Sequence, residues 1–540
     1  MRRFAAQAKG VAVASESSAA VSGKTVHYGD KPLPVLKYDA VDEAREMAIR
    51  QAQAERREAF LRGPQEAGNS WDAAMAAPDV AFASIASPEP THLPLRVPQP
   101  ATEVTTLGNG MRVATETNGV WPVATVGVWI DAGSRFETEA SNGTAHFLEH
   151  MAFKGTQKRT LRQLEEGLEN MGAHLNAYTS REQTVYYAKC MAKDVPECVD
   201  VLGDILQNSV FRPADVERER GVILREMEEV EGMPEEVLFD HLHSTAFQGT
   251  PLGRTILGPP ENVRAITKEQ IEEYIATHYT APRMVFSAAG AVDHSQMCKL
   301  VDKAFGGLPS EGLSTADLVE QHPAHFTGSS VIARDDNAEK GHVAVAWKGC
   351  DWKDEDAIPL MLCQTMLGAW DAQGKVDGVH MGSKMCQLVA GNKLAQSVMA
   401  FNTNYTDTGL FGVYTVLKDT DKMVDLMGGI MESVQQLSMR PDERDLQRAK
   451  NILKGNMCLA MEGSSAVAED IGRQLLVYGR RVTLSEMFAR IDGITTADIK
   501  NAGMRFLWDK DIAIAATGDV SATAITDYNW VRRRTYSLLS

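Results

Sequence analysis

The strongest constraint on the fold is an internal repeat. The stretch "ITKEQIEEYIATHYTAPRMVFSAAGAV", beginning at Ile266, aligns without a gap with "ITTADIKNAGMRFLWDKDIAIAATGDV", beginning at Ile494. Ile266, Thr267, Ile271, Ala288 and Gly290 recur as Ile494, Thr495, Ile499, Ala516 and Gly518, each pair at the same offset. Each copy reads as a helix entering an apolar strand that ends at a glycine, and such recurrence predicts a duplicated domain. A chain of 540 residues is also too long for one core. The expected layout is two similar halves, 101–310 and 325–540, joined by a Ser/Pro/Gly-containing linker over 311–324. Apolar strands such as "VATVGVWIDAG" alternate with longer helices, which makes the class α+β, each half packing helices on a mixed, mostly antiparallel sheet. Within that strand Val126, Val128 and Ile130 alternate as on a half-buried surface.

With 44% apolar residues there is ample core material, and a formal charge of −17 disfavours a general nucleic-acid binder while attracting cationic ligands. Seven cysteines (Cys190, Cys198, Cys298, Cys350, Cys363, Cys386, Cys458) are scattered and never form C-x-x-C, so neither a disulfide framework nor a thiolate zinc site is indicated. No apolar run reaches membrane-spanning length, and membrane association is expected to be peripheral or through a partner. The first 24 residues carry Arg2, Arg3, Lys9 and Lys24 against one acid, Glu16, which suits an organellar transit peptide over 1–30. A charged helix begins near Tyr38, and a Pro/Ala-rich arm runs on to residue 100.

The first half holds "HFLEH". His146 and His150 are four apart, so a helix stacks both imidazoles on one face, where they can take adjacent positions on a tetrahedral metal ion. Phe147, Leu148, Met151 and Phe153 supply core-facing bulk, and Thr144 or Asn142 is placed to cap the helix. Zinc held by two neutral imidazoles and a carboxylate keeps a fourth position for water, and Glu149 is placed to act as general base beside it. H-x-x-E-H is the inverted form of the better-known zinc-peptidase helix. A third ligand is required. Glu219 and Glu226, two turns apart on one face of a downstream helix, can each supply it, whereas His241 and His243 fit better as ordinary helix residues. The neighbouring acids Glu217, Glu228, Glu229 and Glu231 read as a solvated face.

These residues resemble the pitrilysin-type zinc metallopeptidases, and within them the beta-type chains of the mitochondrial processing peptidases. The likeness rests on H-x-x-E-H with a glutamate, Glu226, at the family's distance from the second histidine. It is carried further by "FKGTQKRT", "HLNAYTSREQTVYYAK", "PLGRTILGP", "FNTNYTDTGLFGVY" and "YGRR". It implies a pair of pitrilysin-like domains. His146, His150 and Glu226 would bind one Zn2+, with Glu149 as base and Glu219 as the carboxylate that orients the site. It further implies that Asn176, Ala177 and Tyr178 accept an extended peptide at a sheet edge, and that Glu236 and Asp240 grip the arginine of a basic presequence. Aligning "VILRE" with "NILKG" sets Gly455 where the first half has Glu226, so the second domain is expected to be metal-free.

The resemblance implies an alpha-type partner subunit, because the loop "DAQGKVDGVHMGSK" has its glycines only singly, unlike the glycine-rich loop of the family's other chain. The arm before residue 100 and the ending "DYNWVRRRTYSLL" resemble the plant lineage, in which such a chain also serves as a core subunit of respiratory complex III on the matrix side of the inner membrane. The expected function is therefore presequence cleavage in mitochondria. A non-enzymatic core subunit is the alternative, and a free-standing oligopeptidase of the same fold ranks behind it.

Overall fold

The structure is a computed structural model describing residues 100–118, 122–374, 376–520 and 527–536. The expected transit peptide, the charged helix after Tyr38 and the arm up to residue 99 lie outside the described residues.

In the first half, strands β1 (Thr102–Thr106), β2 (Arg112–Thr117), β3 (Val123–Ile130), β4 (His174–Thr179), β5 (Thr184–Met191) and β6 (Met284–Gly290) form one sheet. Its order is β1-β2-β6-β3-β5-β4, which leaves β4 at an edge. All pairs are antiparallel except β2 with β6. Helices α1 (Thr144–Met151), α2 (Pro213–Glu231), α3 (Pro234–Ala246) and α4 (Lys268–His278) follow in chain order among others. Phe147, Leu148 and Met151 of α1 are buried in the core of this half with Ile223 of α2 and Ile271 of α4, while Phe153 packs against that core and stays partly exposed. Arg220 of α2 lies over the Phe147 ring and donates to the carbonyls of Val263 and Ile266. The metal-motif helix is thereby fixed on several sides.

The second half repeats the plan. Strands β7 (Ser329–Arg334), β8 (Gly341–Gly349), β9 (Ala369–Asp371), β10 (Ser397–Asn404), β11 (Gly409–Leu417) and β12 (Ile512–Gly518) run in the order β7-β12-β8-β11-β10-β9. Strand β7 pairs parallel with β12, as β2 does with β6. Helices α5 (Glu443–Ala460), α6 (Ser464–Tyr478) and α7 (Thr496–Phe506) belong to this half. The repeat read in the sequence is α4–β6 against α7–β12, and both helices open on a capping box, at Thr267 and Thr495. Both strands end at a glycine with positive φ, Gly290 and Gly518, where a Cβ would collide with the carbonyl of Val123 or Lys340. Only glycine fits such a crossing. The expected linker is not wholly irregular: Thr315–Gln321 forms a short helix with a Ser314/Asp317 capping box.

The halves are joined by an exchange of helices. Helix α3 of the first half buries Leu238, Leu242 and Ala246 against Ala344, Ala346, Ala513 and Ala515 of the second sheet. Helix α6 of the second half buries Ala468, Ile471 and Leu475 against Trp129, Val185, Val285 and Ala289 of the first sheet. Strand β3 is consequently buried on both faces from Ala124 to Ile130, not on one face as its alternation predicts. Each large apolar side chain buried in this way contributes about 1.5–3 kcal/mol. Polar ties reinforce the seam. Arg135 makes a bidentate pair with Asp407 at 2.7 Å for both bonds and donates to Glu182 at 2.6 Å. The Glu182 carboxylate in turn accepts from the Thr406 amide.

Gly472 of α6 sits so close to Trp129 that a Cβ there would enter the indole ring. Gly472→Leu is expected to overpack this contact and cost about 1–3 kcal/mol, lowering the thermal unfolding midpoint measured by calorimetry. An unchanged midpoint would mean the seam is not close-packed at this point.

Candidate active site

Helix α1 begins at Gly143, whose φ of 106° no other residue adopts comfortably. Neither Asn142 nor Thr144 caps it with a side chain. The buried Glu137 carboxylate does so from outside the helix, accepting from Gly143 N–H at 2.9 Å, Ala145 N–H at 2.6 Å and the Asn142 amide at 2.8 Å. A carboxylate at a helix N-terminus meets unpaired N–H groups and the positive end of the macrodipole. Burial nevertheless raises its pKa to about 7, against the lowering effect of the three donors and Arg254.

From this anchored start, the helical period brings His146 and His150 onto one face, with ring centroids 4.7 Å apart. Glu226 approaches from α2: its Oε2 lies 3.8 Å from His146 Nε2 and 3.2 Å from His150 Nε2. The three donor atoms all lie within 4.8 Å of one another. Tetrahedral zinc with bonds of about 2.0–2.1 Å would set such donors about 3.3 Å apart, so the residues fit that ion. Burial first, and His150 second, push the His146 pKa down to about 4, Glu226 opposing. The imidazole is then neutral at pH 7, as a ligand must be.

Glu149 is largely buried beside them. Burial raises its pKa, Thr179 and His150 lower it, and Glu226 raises it again. Thr179 is the last residue of β4, so the carboxylate stands where the edge strand ends. Glu219, one helical face with Glu226, is 3% exposed and pairs through Oε1 with Lys154 Nζ at 2.7 Å. Its other oxygen is buried without a partner among the described residues.

Asn176, Ala177 and Tyr178 occupy β4, which pairs with β5 on one side. Among the described residues no strand pairs with the other side. The Asn176 Oδ1 accepts from Ala177 N–H at 2.9 Å. The Tyr178 hydroxyl donates to Glu469 of α6, which also accepts from Trp129 Nε1 at 3.2 Å. Glu236 and Asp240 lie one turn apart on α3, and Asp240 pairs with Arg181 at 2.7 Å. His243 is an ordinary helix residue, buried between the Phe239 carbonyl and the Tyr405 hydroxyl, each at 2.7 Å. Gly455 lies on α5, the second half's counterpart of α2. Sequence reasoning missed Glu137, Lys154 and Arg181. The only available signal was their charge, because each acts through a loop or a neighbouring strand.

A duplicated α+β scaffold with an H-x-x-E-H helix in its first copy defines a peptidase of the inverted-motif class. Residues 112–260 match the family described as Insulinase (Peptidase family M16), and residues 265–453 match Peptidase M16 inactive domain; the chain belongs to this family. It is similar to a protein of Arabidopsis thaliana named "Probable mitochondrial-processing peptidase subunit beta, mitochondrial", at 54% identity over 85% of this chain and 86% of that one. The Bos taurus mitochondrial-processing peptidase subunit beta is 48% identical over 80% of this chain and 87% of its own length. A solved structure described as "Complex III2 from Candida albicans, Inz-5 bound" contains a chain that superposes with a TM-score of 0.73 at 26% identity, covering 81% of this chain and 100% of that one. No helix among the described residues is long and apolar enough to cross a membrane.

The buried cap gives a pH dependence with a definite sign. Glu137 has a folded pKa raised from 4.5 to about 7, so between those values the native chain holds a proton the unfolded chain has lost. Stability falls as pH rises through that window, by up to about 3 kcal/mol for this group. Denaturation midpoints at pH 5 and pH 7.5 are expected to show this loss in wild type but not in Glu137→Gln. A slope shared by both proteins would remove Glu137 as its source.

Proposed function

We propose that the chain is the catalytic, beta-type subunit of a zinc endopeptidase that removes N-terminal presequences from proteins imported into mitochondria. It would work with an alpha-type partner on the matrix side of the inner membrane, as a core subunit of respiratory complex III. The observation that carries this reading is the convergence of His146, His150 and Glu226 beside Glu149 on a chain 54% identical to a protein named as such a subunit. In this reading residues 1–30 are the transit peptide, 31–100 an arm, 101–310 the catalytic domain and 325–540 the metal-free domain.

Zinc, when bound by the two imidazoles and Glu226, supplies a Lewis acid and lowers the pKa of a coordinated water towards about 7. Glu149 takes the proton from the attacking water and returns it to the leaving amine. Burial raises the pKa of this carboxyl above the ordinary carboxylate value, Thr179 and His150 opposing. Main-chain groups of Asn176, Ala177 and Tyr178 at the open edge of β4 hold the peptide extended, a mode indifferent to most side chains. Glu236 and Asp240 on α3 add the selection for arginine. Glu219, clamped by Lys154, holds α2 and the motif helix in register. The net charge of −17 draws basic presequences towards the chain.

The likeness to a chain of complex III also favours a second reading, a core subunit without turnover. The two separate on cleavage of a basic presequence peptide by the purified complex, with and without a chelator, alongside a zinc count. Chelator-sensitive cleavage near an arginine with about one zinc per chain is expected; an inert, zinc-free complex would leave scaffolding as the function. Glu149→Gln is expected to lower kcat by about a hundredfold or more while leaving the zinc content unchanged. Full activity in that variant would refute the assigned base.

A further inference from the structure

Asp240 already has a cation. From the turn between β4 and β5, Arg181 Nη2 donates to Asp240 Oδ1 at 2.7 Å. The Arg181 side chain is 4% exposed and that of Asp240 31% exposed, so the pair is closed on the arginine side and still reachable on the aspartate side. The Arg181 Nε is buried without an acceptor among the described residues, and a buried guanidinium that lost Asp240 would be left further uncompensated.

The turn itself is rigid. The Ser180 and Arg181 carbonyls accept from the Ser134 and Arg135 amides, and Glu182 is gripped by Arg135 and Thr406. His243, one turn beyond Asp240, is kept neutral by burial first and the charge of Arg181 second, so it offers Asp240 no rival cation. Two carboxylates at i,i+4 repel each other, and Arg181 offsets that repulsion between Asp240 and Glu236.

We propose that Arg181 is a positioning residue for substrate arginine. It fixes Asp240 through one carboxylate oxygen and leaves the other, with Glu236, to receive an incoming guanidinium. This inference rests on the role proposed above for Glu236 and Asp240.

The test uses the chain assembled with its alpha-type partner and two basic presequence peptides, one with arginine beside the cleavage point and one with citrulline there. Arg181→Gln is expected to raise KM for the arginine peptide about tenfold, with kcat and the citrulline peptide changed less than about twofold. Arg181→Lys keeps the charge but not the planar fork and is expected to lose about threefold of the preference. In an Asp240→Asn background Arg181→Gln should add nothing. A general loss on both peptides, or an arginine preference untouched by Arg181→Gln, overturns the inference alone. If Arg181→Gln fails to fold, as a thermal melt would reveal, Arg181→Lys decides: the threefold loss supports the inference and a wild-type preference overturns it. A wild-type enzyme indifferent to arginine and citrulline overturns both the inference and the assigned roles of Glu236 and Asp240.

Discussion

The two halves of this chain are held by an exchange of equivalent parts. Helix α3 of the first half covers the second sheet, and α6, at the matching place in the repeat, covers the first. Each sheet would otherwise expose an apolar face, and each half would be an incomplete layer arrangement. Small residues set the closeness of approach: alanines face α3, and Gly472 of α6 admits Trp129. The duplication therefore yields one mutually dependent unit: each half keeps its own main core, and each relies on the other's helix to cover the far face of its sheet.

The site inherits this arrangement. Tyr178, on the strand proposed to accept the peptide, is bonded to Glu469, a residue of the other half. Arg135, next to the turn that follows that strand, is locked to Asp407. The acids of α3 ride on the helix that is lent across the seam. The proposed metal ligands, by contrast, are supported within the first half, by Glu137 at the start of α1 and by Arg220 over Phe147. The proposed metal site and the proposed substrate-reading residues thus depend on different parts of the structure. A disturbance of the seam reaches the second before the first.

Much of this was legible in the sequence, for physical reasons. The repeat appeared because capping threonines and strand-end glycines are local requirements that both copies must satisfy. His146 and His150 were legible because helical spacing alone aligns them. Periodicity left Glu219 and Glu226 equivalent, and family resemblance favoured Glu226, the acid that reaches both imidazoles. Contacts through loops were not legible. Asn142 and Thr144 have the right chemistry for a cap, yet Glu137 takes the place because the preceding loop folds back over the helix end. The alternation in β3 suggested one solvated face, but pattern along a strand says nothing of a helix arriving from more than 300 residues away; Trp129 and Glu469 are 340 apart.

Strand β9 gives the duplication its asymmetry. Among the described residues, the edge strand β4 of the first sheet has an open side, whereas its counterpart β10 is covered by Ala369–Asp371 of β9. An exposed strand edge is a template for any extended chain, including another copy of the same protein. A repeat that kept both edges open would have two such templates and could propagate end to end. Three residues of β9 cover the matching edge in the second half, so among the described residues only the first of these two equivalent edges is left for an extended guest.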